Sequence, residues 1–118
     1  MPKRIKVLIA DSDLDALSKI YLSLIHKAYM VEATDNGDEI TARIERFKPH
    51  IVILSTSTKN ITDEVHKKLK QKKLPVILLV DNLPITSESI LRKIEIIKKP
   101  VDLNSIDSKI KEMLNILL

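Results

Sequence analysis

The 118-residue chain has no cysteine, one glycine and an aromatic content of only 3%. Without cysteine there is no disulfide framework, no thiolate metal site and no thiol nucleophile. With Gly37 as the single glycine, the Gly-rich phosphate cradles are excluded. Both GxGxxG and GxxxxGK[ST] need at least two glycines to bring backbone amides against phosphate. A nucleophile elbow of the GxSxG type fails on the same ground. Scarce aromatics and the lack of a recognition motif weigh against a nucleic-acid-binding domain. No apolar run approaches the roughly eighteen residues that a membrane-spanning helix needs. The basic start is followed by an apolar run that ends at Asp11, too short for the apolar region of a signal peptide. The expectation is a cytoplasmic protein.

What is present suits a packed core. Hydrophobic residues make up 44% of the chain, and the length fits one domain over 1–118 that folds without staples. The 20 Lys and Arg exceed the 16 Asp and Glu to give a net charge of +4. The cations are mostly Lys, which reads as a generically basic surface rather than a nucleic-acid footprint.

Short apolar runs alternate with helical periodicity. Ile5–Ala10, Tyr29–Ala33, Ile51–Leu54, Pro75–Val80 and Ile94–Lys98 read as strands, the first apolar enough to be buried on both faces and the third the most strand-like run of the chain. Between them, helical spacing marks 13–27 (Leu14, Leu17, Tyr21, Leu24, Ile25), a helix through Ile40, Ile44 and Phe47, and one through Ile61, Val65 and Leu69. Residues 87–93 hold about two helical turns, and Ile106, Ile110, Met113, Leu114 and Leu117 stripe a last helix opened by Pro100 and Asp102. Asn36-Gly37 is read as a turn in which glycine supplies a positive φ. Five strands alternating with five helices predict an α/β fold, a doubly wound parallel sheet with helices on both faces. In such sheets the site lies at the carboxyl ends of the strands. Those ends carry Asp11, Ser12 and Asp13, then Ser55 to Thr58, then Val80 and Asp81, then Lys99 and Pro100.

Five stretches in order resemble the receiver domain of two-component response regulators, over almost the whole chain. They are Val7–Asp13, Asn36–Glu39, Lys48–Ser55, Leu74–Leu79 and Lys99-Pro100. The resemblance implies a CheY-like, flavodoxin-like sheet of order 2-1-3-4-5 and a Lys-Pro pair with a cis bond. It implies a phosphorelay function in signal transduction, in which an aspartate takes a phosphoryl group from a histidine kinase. An acidic pair would hold Mg²⁺, a Ser or Thr would contact the phosphoryl group, and a Lys would neutralise it.

The chain departs from that pattern at most of these positions. The phosphoacceptor aligns with Ser55, the acidic pair with Asp11 and Ser12, the Ser/Thr position with Val80, and the aromatic switch with Ile96. Asp11 and Lys99 alone keep the family's residue types. Mg²⁺ prefers oxygen ligands that include one or two carboxylates, so weak or absent Mg²⁺ binding and no cofactor are expected. Ser55 has no adjacent base to activate it, so no enzymatic activity is expected. Lys99 needs an anion nearby, and Asp11 or Asp81 can supply it.

The expectation is therefore a degenerate receiver, a pseudo-receiver acting as a phosphorylation-independent protein–protein interaction module. Its docking face would be formed by the fourth and fifth predicted helices and the fifth strand, with Ile90, Ile96 and Lys98 as interaction residues. A homodimer through that face is one expected partner arrangement, and an output domain beyond residue 118 is left open. The alternatives are a working phosphoacceptor receiver with shifted acidic residues, using Asp11 with Asp13 and Asp63, or a basic nucleic-acid-binding domain. His26, His50 and His66 share no metal-ligand spacing and are read as surface or rim residues. Lys67, Lys68, Lys70, Lys72 and Lys73 are read as a solvated cluster at a helix end.

Overall fold

The computed structural model describes residues 4–81 and 94–115. Five parallel strands form one sheet in the order β2-β1-β3-β4-β5. They are β1 (Lys6–Ala10), β2 (Met30–Thr34), β3 (Ile51–Ser55), β4 (Val76–Val80) and β5 (Ile94–Lys98). The described helices are α1 (Leu14–His26), α2 (Ile40–Phe47), α3 (Asp63–Gln71) and α4 (Leu103–Met113), with one 3-10 turn at Gly37–Glu39. The helix expected at 87–93 and the residue Leu117 lie outside the described residues.

The apolar runs explain the strand order. β3 is buried along its whole length, and β1 from Val7 onward. Only central strands covered on both faces tolerate such continuous runs. β2 and β5, whose runs are broken by Glu32 and Glu95, are the half-exposed edges. One core joins Val7, Ile9, Ile53 and Ile77 to α1 and α4, and the other joins Leu8, Val52, Leu54 and Val76 to α2 and α3. Among the described residues no helix is long and apolar enough to cross a membrane.

Two details differ from the sequence reading. The buried stripe of α1 is Leu17, Ile20 and Leu24, while Leu14, Leu22 and Ile25 are exposed. This helix carries apolar residues around most of its circumference, so spacing alone does not choose its inner face. Gly37 does not have a positive φ. Its lack of a side chain serves a close approach instead, because a Cβ there would lie 2.4 Å from the Asn60 carbonyl oxygen.

The two ends of one core layer are tied by a polar contact. The Tyr29 hydroxyl donates to Asp107 on α4 at 2.6 Å. Burial, then that bond and the Asp107 charge, push the Tyr29 phenol well above its ordinary value. A raised phenol contributes stability that is fully present below its unfolded pKa, about 10, and is lost as pH rises beyond it. Tyr29→Phe is expected to cost about 1 to 2 kcal/mol at neutral pH and to flatten the loss of stability above pH ~10. Urea unfolding at a series of pH values checks both. An unchanged alkaline slope would show that the hydroxyl contributes nothing to it.

Candidate functional site

At the carboxyl end of β1, Asp11 is fully buried. The chain then turns through Ser12 to Asp13, whose carboxylate caps α1 by accepting from the amides of Asp15 and Ala16. Asp11 is held from two sides. Its Oδ1 accepts from the Asp13 amide at 2.9 Å and from the Ser57 hydroxyl at 3.0 Å. Its Oδ2 lies 2.8 Å from Lys99 Nζ. Among the described residues Oδ2 has no aligned hydrogen-bond donor, so this contact is an ion pair set off the hydrogen-bonding direction. Of the two carboxylates expected to meet Lys99, the structure brings Asp11, and Asp81 stays exposed.

β5 delivers Lys99 to this point. The Lys99 amide donates to the Val80 carbonyl at 2.7 Å, and the Lys99–Pro100 bond is cis. The Lys99 side chain is only 12% exposed.

The end of β3 supplies hydroxyls. Ser55 is fully buried, and its Oγ lies 2.8 Å from Ser57 Oγ. Lys99 Nζ also donates to Ser57 Oγ, at 3.3 Å. Donor counting fixes the directions. The carboxylate can only accept, so the one Ser57 proton goes to Asp11 and Ser55 must donate to Ser57. The Ser57 amide closes the turn on Ser55 Oγ at 3.2 Å. Thr58, buried behind them, donates to the carbonyls of Ser55 and Ala10. Ser57 is the centre of the cluster, and its residue type carries no signal for that role. Only the turn two residues past the strand places its hydroxyl there.

The other residues expected in this pocket divide. Val80 contributes its backbone carbonyl, while its side chain is buried in the core. Ser12 belongs to a different contact. Its hydroxyl donates to the Asp35 carbonyl and accepts from the Lys59 amide, each at 2.7 Å. It thus ties the loop after β2 to the loop after β3. Gly37 N donates to Lys59 O at 2.7 Å in the same junction. Asp63 opens α3, outside this cluster.

On the edge strand, Ile96 is 42% exposed and Lys98 is exposed beside it. Ile90 lies outside the described residues. Of the histidines, His26 ends α1, His50 Nδ1 accepts from the Lys6 amide, and His66 is half-buried on α3. Among the described residues no group of three His, Cys, Asp or Glu is placed to hold a metal. The lysine cluster on α3 is not wholly solvated. Lys68 and Lys72 both pair with Glu45 on α2, and these bonds, Lys68 first, hold the Glu45 carboxyl below its ordinary value.

Solved structures share this architecture. A response regulator from Desulfuromonas acetoxidans matches with a TM-score of 0.80 at 22% identity, over 97% of this chain and 99% of that one. A two-component response regulator from Clostridium difficile matches with a TM-score of 0.76 at 23% identity, over 95% and 97%. The fold is that of receiver domains. A CheY-like receiver domain protein from Methanospirillum hungatei adds a TM-score of 0.77 at 20% identity, over 96% and 95%. No family model and no curated protein matches the sequence, so this receiver likeness is one of fold.

Proposed function

We propose that the chain is a receiver-type domain of two-component signalling that has lost phosphoryl chemistry and acts by constitutive protein docking. The observation that carries this reading is the closed contact of Asp11, Ser57 and Lys99 over Ser55. Mg²⁺ would need oxygen donors free to turn toward it. Asp13 caps a helix, Ser12 faces Asp35, and Asp11 is engaged by an amide, a hydroxyl and an ammonium. These residues do not fit the ion. Ser55 donates to a neighbouring hydroxyl rather than to a base, which leaves it a poor nucleophile.

Docking rather than chemistry is supported by the surface. Ile96 presents a branched apolar side chain on an edge strand, with Lys98 beside it, and such edges favour a partner. The partner is a protein, with a second copy of the chain as one candidate.

The test is a pair of amide spectra of the protein, with and without Mg²⁺ and beryllofluoride, which mimics a phosphoryl group on a carboxylate. The expected result is no saturable shift at residues 55 to 58. Saturable shifts there would reject docking alone and favour a phosphoacceptor that uses Asp11 with Asp13.

A further inference from the structure

In a parallel sheet every connection from helix to strand returns to the same end, the amino end. Here that end is built from basic residues. The turn after α1 carries Lys27. The turn after α2 carries Lys48, with Arg46 just before it. The turn after α3 carries Lys72 and Lys73, with Lys70 just before them. All six side chains are exposed, and β1 enters at the same level from exposed Arg4. No Asp or Glu stands within residues 4–6, 26–30, 46–51 or 70–76; the carboxylates nearby are Glu45 in the last turn of α2, which pairs with Lys72, and Glu112 in the last turn of α4, which pairs with Lys109. The opposite end is richer in acid, with Asp13, Asp35, Asp38, Asp63, Asp81 and Asp102 on the connections and first helical turns that follow the strands, against Lys59 and Lys99.

Cations at helix carboxyl ends are favoured by the helix dipole, and this accounts for part of the pattern. It does not account for backbone conformation. Lys48 and Lys73 both have left-handed backbones, with φ of 54° each. Glycine meets that requirement at no steric cost, yet lysine stands at both positions. Ala28, in the turn after α1, is left-handed as well at 69°, so lysine stands at two of the three left-handed positions in these helix-to-strand turns.

We propose that this basic end is a docking surface for an anionic lipid bilayer. The observations favour a bilayer over nucleic acid. Described helices end at this face by their carboxyl termini, so none enters a groove by its amino terminus as recognition helices do. The cations are mostly Lys, point charges suited to a headgroup layer rather than bidentate readers. Ile25 in the last turn of α1 and Met30 at the start of β2 are 41% and 39% exposed beside them, which adds apolar side chains to a polybasic face. The acidic end faces away from the membrane in this orientation, and the Asp11 cluster with it.

The test is sedimentation with vesicles of phosphatidylcholine alone or with about a third phosphatidylserine, using the full chain at physiological salt. Binding is expected only to the anionic vesicles. Lys48→Gly/Lys73→Gly should weaken it about 30-fold, from roughly 1 kcal/mol per lysine near the surface. The unfolding midpoint of that variant should be unchanged or higher, because both positions have left-handed backbones. Lys19→Gln/Lys59→Gln removes the same charge near the acidic end and should bind like the parent. No binding to anionic vesicles, equal weakening by both double variants, or tighter binding to duplex DNA than to the vesicles would each overturn the proposal.

Discussion

Lys99→Met is expected to destabilise the domain by about 3 kcal/mol, because it leaves a fully buried carboxylate without its counter-charge. Asp11 has zero exposure and its Oδ2 faces Lys99 at 2.8 Å. The remaining partners, the Asp13 amide and the Ser57 hydroxyl, both go to Oδ1, so nothing else on the described residues compensates Oδ2. The reverse substitution is not equivalent. Asp11→Asn removes the buried charge itself, and the long Lys99 stem can carry its ammonium toward the open cleft it shares with Asp13, Asp81 and Pro100. That change should cost about 1 kcal/mol, the scale of one modest hydrogen bond. The double variant should therefore be more stable than Lys99→Met alone, although it carries one more substitution. Urea denaturation of the four proteins gives the coupling between the two sites. Two single losses that simply add in the double variant would show that the charges do not depend on one another.

The strands were legible because burial on both faces forces apolar continuity. Val7–Ala10 and Ile51–Leu54 admit no polar residue, and the edges β2 and β5 betray themselves by Glu32 and Glu95. The pairing of Lys99 was legible for a related reason. A cation just past a strand end, at the carboxyl edge of the sheet, needs an anion, and Asp11 and Asp81 directly follow two of the other strands at that edge. Ser57 was legible as one of the residues that follow β3 but not as the centre of the cluster, since that part depends on where one hydroxyl points in a turn and not on its residue type. Ser12 was misplaced for the same reason. Alignment sets it beside Asp11, but the turn into α1 swings its hydroxyl onto Asp35 and Lys59. The inner face of α1 was obscured because Leu14, Leu22 and Ile25 are as apolar as the residues that are buried. Hydrophobicity marks a face only where the opposite face is polar.

Gly37→Ala is expected to cost about 2 to 3 kcal/mol, although local conformation alone gives the opposite sign. Gly37 sits in a short 3-10 turn without a positive φ. At such a position alanine reduces the entropy of the unfolded chain and stabilises by roughly 0.4 to 1 kcal/mol. What reverses the sign is the partner loop. The added Cβ would meet Asn60 O at 2.4 Å, Asn60 C at 2.6 Å and Ile61 N at 2.8 Å, all backbone atoms. A flexible side chain could swing away, but this backbone cannot do so freely. It is tied by Gly37 N to Lys59 O, by Asn60 Nδ2 to Asn36 Oδ1 and by Lys59 N to Ser12 Oγ. Overpacking of this kind costs about 1 to 3 kcal/mol, and the lost loop-to-loop bonds set the expectation at the upper end of that range. The displacement should also reach the site, because residues 55 to 60 form one connection from β3 and Ser57 lies within it. Amide shifts in Gly37→Ala should therefore extend from Asn60 to Ser55 and to Asp11. A variant as stable as the parent, or one whose shifts stop at the 3-10 turn, would show that the two loops are not rigidly joined. Asn60→Gly is the companion. It relieves a left-handed backbone at φ 63° but gives up one side-chain bond, so it should change stability by less than about 1 kcal/mol. The contrast between the two variants assigns the cost to the contact and not to the loop's composition.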